Sequence, residues 1–215
     1  MKSVNVPRTA ALIAGVGVSS LGLYLLLSKR TKKVAHIGDS LTAYTVPSLI
    51  AAYENEGVQA VVDAFGGRAI LQKLPKDPRN GVQAVQKLKS EGFNGDWVIA
   101  LGTNDTANVS VGSSYSRDGA IDAMMNAIDP NKKARVMWVN AKTTTSSGPW
   151  SNANMQLWNA ALDRATSRWP NLVIYDWAAD ASAQKPPFND GIHHTVDGYA
   201  IRNKSIAKAY RRLLG

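Results

Sequence analysis

Five short apolar runs, each four to seven residues long and each separated from the next by a helix-like segment, constrain this chain more than any other feature. The runs are Val34–Ile37, Val58–Ala64, Trp97–Leu101, Arg135–Val139 and Leu172–Tyr175. Between them the sequence predicts helices over Pro47–Glu56, Gly81–Glu91, Asp118–Ile128 and Asn152–Arg168, with a long closing helix over Thr195–Leu214. Proline falls near the first turn of the first helix, Gly57 and Gly92 follow two of the helices, and Asp129-Pro130 stops a third, as start and stop chemistry requires. Buried strands alternating with helices imply a parallel sheet covered on both faces. In such a sheet the working site lies beyond the carboxyl ends of the strands.

The chemistry-bearing residues fall at those ends. The first run breaks into Gly38-Asp39-Ser40-Leu41-Thr42, the second into Phe65-Gly66-Gly67-Arg68 and the third into Gly102-Thr103-Asn104-Asp105; Asp190-Gly191-Ile192-His193-His194-Thr195 comes after the fifth. A Gly-Asp-Ser turn alone is an ordinary strand exit, with Ser40 or Thr42 capping the next helix. Its partners give it chemistry. A serine hydroxyl is a poor nucleophile until an imidazole takes its proton, and a carboxylate must hold that imidazole. Asp190 and His193 can supply that pair for Ser40. The backbone amides of Ser40 and Gly67 and the carboxamide of Asn104 can then converge on an oxyanion. His194 is the rival base and Gly66 the rival oxyanion glycine. No Gly-x-Ser-x-Gly is present, so the nucleophile elbow of the α/β-hydrolases is not available.

On these four blocks the chain resembles the SGNH (GDSL-type) hydrolase family over roughly residues 33–213. Asp176-Trp177, the ending Asp-Gly-Ile-His-His-Thr and Gly198 beyond it look like SGNH domains related to bacterial cell-surface O-acyltransferases. The resemblance implies a three-layer α/β/α, flavodoxin-like fold and hydrolysis of carboxylic esters, often acetyl groups on sugars, without a metal or other cofactor. It also implies Ser40, Asp190 and His193 as the catalytic residues, with Ser40, Gly67 and Asn104 forming the oxyanion hole. The expected function is therefore a serine esterase acting on a small-molecule or carbohydrate ester. The alternatives are an O-acyltransferase using the same triad, or a binding protein that retains the fold.

Composition narrows the partners. The chain has 215 residues, enough for one substantial domain. Cysteine is absent and only three histidines occur, which removes disulfides and thiolate metal sites. Six of the nine excess positive charges (Lys2, Arg8, Lys29, Arg30, Lys32 and Lys33) lie in the first 33 residues. They flank the uncharged 18-residue stretch Ala10–Leu27. A basic flank beside an apolar segment explains that charge without nucleic acid.

Residues 1–32 are thus expected to form a membrane anchor with one transmembrane helix, or an uncleaved signal, ahead of a domain over 33–215. Flanking charge would leave the domain cytoplasmic, whereas the resemblance would place it outside. The tether is about six residues, or no more than ~20 Å, so the site is expected to face away from that bilayer. Among other residues, His36, Trp97, Trp138 and Tyr175 are expected in the core. Asp39 is expected as a turn former and Asp105 as a loop-ordering acid. Arg202, Lys204, Lys208, Arg211 and Arg212 are expected on a solvated helix face. Arg68 and Trp150 are candidate substrate contacts, Arg68 with a surface salt bridge as its competing role.

Overall fold

A computed structural model describes residues 32–110 and 116–215. Strand β1 spans Lys32–Gly38, then come α1 (Ser40–Ala43), α2 (Val46–Asn55), β2 (Val58–Ala64), α3 (Gly81–Ser90), β3 (Asp96–Ala100) and α4 (Thr103–Ser110). After these follow α5 (Arg117–Ile128), β4 (Val136–Val139), α6 (Asn152–Arg168), β5 (Leu172–Tyr175), α7 (Trp177–Gln184) and α8 (Val196–Leu213). The strands form one parallel sheet in the order β2-β1-β3-β4-β5, the flavodoxin-like order.

Strand pleat divides the core. Successive side chains point to opposite faces, so Ala35 and Ile37 of β1 join Trp97, Ile99 and Trp138 beneath α3, α5 and α6. Val34, Val98, Met137 and Val139 instead lie against Leu49 and Tyr53 of α2, Trp177 of α7 and Ile206 and Tyr210 of α8. Trp138, Trp158 and Trp177 are fully buried, and truncating one to alanine costs roughly 3–5 kcal/mol in such a setting. His36 is also buried, its Nδ1 lying 3.0 Å from the Tyr53 hydroxyl.

Register brings the strand ends level. Gly38 pairs with Ala64 on one side and Ala100 on the other, so three of the chemistry-bearing turns leave the sheet side by side. Helices begin where capping chemistry allows. Asn80 and Gln83 form a reciprocal capping box for α3, and Ser116, Ser151 and Thr195 each accept a backbone N–H at the starts of α5, α6 and α8. Thr195 therefore stands just outside the closing helix instead of opening it.

Three helices have no counterpart in the sequence reading. Helix α1 is a single turn, too short for an apolar period. Helix α4 follows the Gly102-Thr103-Asn104-Asp105 block; its Thr, Asn and Asp residues are weak helix formers, and burial of Asp105, Thr106 and Ala107 overrides that weakness. Helix α7 is capped by Asp176, which accepts from the Ala179 N–H at 3.0 Å, and is pinned by buried Trp177. The Ala10–Leu27 stretch and residues 28–31 of its tether lie outside the described residues, while Lys32 and Lys33 open β1. Among the described residues, no helix is long and apolar enough to cross a membrane.

Candidate active site

Ser40 opens α1 at the carboxyl edge of β1. The turn is tight enough that a Cβ on Gly38 would sit 2.3 Å from the Thr42 hydroxyl oxygen. Asp39 caps the turn, its Oδ1 accepting from the Leu41 N–H at 3.0 Å. Across the crevice, Asp190 closes its own turn by accepting the N–H groups of Ile192 and His193 at 2.9 and 2.6 Å.

That turn aims the imidazole. His193 Nδ1 lies 2.7 Å from Asp190 Oδ2, and His193 Nε2 lies 3.0 Å from Ser40 Oγ. The hydrogen bond from the His193 ring holds the Asp190 carboxyl down at about 2; desolvation pulls the other way, and the two backbone amides add to the lowering. With Asp190 ionised, the partner atoms assign the proton to Nδ1, leaving Nε2 as acceptor of the Ser40 hydroxyl. Ser40 is almost fully buried, whereas Asp190 is half exposed at the rim. His194 points elsewhere. It is buried among Phe188, Trp177 and Tyr199, and burial, then the Arg202 charge, lowers its pKa to about 4.

The glycine loop follows β2. Gly67 has φ +79°, a left-handed conformation, and a Cβ there would meet Leu74 Cδ1 at 2.8 Å. Among the described residues, neither the Ser40 N–H nor the Gly67 N–H has a protein acceptor. Unpaired amides, where they converge on a nucleophile, can receive a developing negative charge. Asn104 is differently placed. Its Nδ2 donates to the Arg68 carbonyl oxygen at 3.1 Å and, weakly, to Asp39 Oδ2 at 3.4 Å, so this third expected donor bridges two loops.

Arg68 does not face a substrate. Its side chain is 1% exposed, with Nε 3.0 Å from Asp77 Oδ2 and NH1 2.9 Å from Asp63 Oδ1. Two carboxylates and the Asp63 carbonyl take up its donors. Both the substrate contact and the surface salt bridge expected from sequence give way to a buried cluster that fixes the glycine loop. Asp105 supports the same loop by accepting the Ile70 N–H at 2.8 Å.

Trp150 is 40% exposed on the loop after β4. Its carbonyl accepts from Thr143 and Thr145, and Thr144 donates its N–H to Gly191 at 2.7 Å, which ties this loop to the Asp190 turn. Among the described residues, no group of three His, Asp or Glu side chains is placed to hold a metal ion.

Two residues near the site went unread in the sequence. Tyr44, at the end of α1, is exposed and its ring centroid lies 5.7 Å from that of His193. An aromatic four positions after Ser40, just past the Gly-Asp-Ser turn, was the available signal. Arg202 was expected among solvated cations. It is 2% exposed and donates from NH1 to the Leu41 carbonyl at 3.1 Å. Its spacing of four from both Gly198 and Ile206, which are buried on the same helix, marks it as inward-facing. Burial and opposing effects, Arg202 foremost, set Asp39: desolvation raises its carboxyl to about 6 although the Arg202 charge pulls the other way.

No curated protein sequence matches the chain. Solved structures of similar shape include the C-terminal catalytic domain of Streptococcus pneumoniae peptidoglycan O-acetyltransferase A, bearing a methylsulfonyl adduct (TM-score 0.65, 16% identity, 86% of this chain and 95% of that one). They also include Est24, a carbohydrate acetylesterase from Sinorhizobium meliloti (0.62, 15%, 85% and 99%), and a lipase/acylhydrolase from Enterococcus faecalis (0.66, 15%, 84% and 96%). At these identities the likeness is one of fold. The sequence profile of GDSL-like lipases and acylhydrolases matches residues 36–201, most of the described domain, and the chain belongs to that family.

Proposed function

We propose that this acylhydrolase is a serine esterase that cleaves short-acyl, chiefly acetyl, esters through an acyl-Ser40 intermediate. The observation that carries this reading is the continuous relay from Asp190 Oδ2 through both His193 nitrogens to Ser40 Oγ, at 2.7 and 3.0 Å. As Ser40 Oγ attacks the ester carbonyl, its proton passes to His193 Nε2. Asp190 stabilises the imidazolium, and the Ser40 and Gly67 amides receive the oxyanion. Asn104 joins them by giving up its long contact to Asp39. Collapse breaks the C–O bond to the alcohol, which takes the proton from Nε2. Water, deprotonated by the same nitrogen, then releases the acid and restores Ser40.

The alcohol side of this crevice is open, with Asp190 and His193 partly exposed at its rim. A hydroxyl of a carbohydrate can therefore stand where water would, and acyl transfer to cell-envelope sugar is the second reading. The peptidoglycan O-acetyltransferase domain with a similar fold lends it support. An uncleaved anchor at residues 10–27 belongs to the same reading, because it would hold the enzyme beside such material.

The purified full chain should hydrolyse p-nitrophenyl acetate and label with a fluorophosphonate, and Ser40→Ala should abolish both. Labelling that persists in that variant, or its absence from the folded wild type, would remove Ser40 from the mechanism. Product analysis with a sugar acceptor separates hydrolysis from transfer, and protease accessibility in intact cells reads the side of the membrane.

A further inference from the structure

The leaving oxygen of the ester must approach His193 Nε2, because that nitrogen supplies its proton. Whatever group that oxygen carries then occupies the space beside the imidazole, and Tyr44 borders this space. Its ring is tilted 53° to that of His193 at a centroid distance of 5.7 Å. Its hydroxyl reaches the glycine loop, 3.8 Å from where a Cβ on Gly66 would stand. The Tyr44 backbone is tied to the nucleophile, since its N–H approaches the Ser40 carbonyl at 3.5 Å. Tyr44 thus spans from the base to the oxyanion loop while remaining 67% exposed.

An aromatic ring left this open in a domain that buries Tyr53, Tyr175, Tyr199 and Tyr210 is available to a partner. Its surroundings limit what that partner can be. The turn that carries the imidazole bears the half-exposed Asp190 carboxylate and is tied to the loop of Thr144 and Thr145, whose hydroxyls donate to the Gly191 and Trp150 carbonyls and keep lone pairs that can accept from a ligand hydroxyl. A pyranose offers an apolar C–H face to the ring and hydroxyls to the rim.

We propose that Tyr44 forms the floor of an alcohol-side subsite that takes a carbohydrate ring, as leaving group in hydrolysis and as acceptor in transfer. This rests on the esterase reading above and names the alcohol part of its substrate. By microscopic reversibility, one subsite serves both directions.

The test compares wild type, Tyr44→Phe and Tyr44→Ala on an O-acetylated methyl glycoside, phenyl acetate and methyl acetate, with thermal unfolding to confirm folding. Losing the ring should cut kcat/KM for the sugar ester about tenfold more than for methyl acetate, mostly through KM, and Tyr44→Phe should keep most of the difference. Equal losses on the sugar ester and methyl acetate would overturn the proposal, leaving Tyr44 as packing for His193. A loss confined to phenyl acetate would overturn the carbohydrate assignment. A folded wild type that turns over no ester and takes no fluorophosphonate would overturn the esterase reading and this subsite with it. Turnover without the ring-dependent loss removes the subsite alone.

Discussion

Asn104 Nδ2 donates to the carbonyl oxygen of Arg68 at 3.1 Å, joining the first turn of α4 to the loop that carries Gly67. One carboxamide thereby fixes the distance between two walls of the crevice, and its second contact, to Asp39 at 3.4 Å, is weak enough to be exchanged for a substrate oxygen.

Asn104→Ala is therefore expected to lower kcat about a hundred- to a thousandfold, the usual loss on removing one oxyanion donor. The acyl-enzyme should still form slowly, because the Ser40 and Gly67 amides remain. Steady-state kinetics together with fluorophosphonate labelling rates read this. A change confined to KM would assign Asn104 to binding.

Asp190→Asn should cost about ten-thousandfold in kcat while leaving the fold intact. A carboxamide at 2.7 Å from His193 Nδ1 can donate to that nitrogen and so favour the tautomer with its proton on Nε2, which cannot accept from Ser40. A pH–rate profile is the readout. In wild type, Asp190, held at about 2, stays ionised across the working range and contributes no limb.

Arg68→Met should destabilise the domain by about 3–5 kcal/mol, measured by urea unfolding. It strips the cation from the carboxylate of Asp77, which is almost wholly buried, and leaves Asp63 with Arg79 alone, and an uncompensated buried charge is costly. Lysine should rescue little, since it cannot offer Nε and two amino groups to Asp77, Asp63 and the Asp63 carbonyl together. Activity should fall with stability, because the same loop carries Gly67.

The parts of this molecule legible in sequence were those set by short-range pattern. The five apolar runs became the strands within a residue or two at most boundaries, because buried parallel strands leave a continuous apolar signature. Ser40, Asp190 and His193 stand at strand ends or in turns whose residue types are chemically restrictive. What stayed hidden depends on tertiary neighbours. Arg68 and Arg202 look like surface cations until packing buries them, and Asn104 carries no sign in sequence that its amide faces a carbonyl. Helix α4 forms against its own propensity. Tyr44 is visible as an aromatic but not as an exposed one.

Asp39 couples the stability of the domain to pH. The folded carboxyl titrates near 6, raised by burial, against about 3.8 for an unhindered one. A group that holds its proton more tightly when folded favours the native state at low pH, and that advantage drains away as pH rises from about 4 to about 6. Above that window the buried charge is a standing cost of order 1–3 kcal/mol. An asparagine side chain at this position would keep an oxygen for the Leu41 N–H, now accepted at 3.0 Å, and asparagine caps helices as well as aspartate does. Asp39→Asn should therefore gain stability on wild type above pH 6, with the gain shrinking to nothing near pH 4. The difference between the two curves is the right measure, because His36, lowered to about 3 by burial and then by Arg202, pulls the opposite way in both proteins and cancels. Urea unfolding of the pair from pH 4 to 8 checks it. A difference that stays flat across that range would mean the Asp39 carboxyl is not held up by burial, and would shift the weight of the Arg202 charge onto stabilising it.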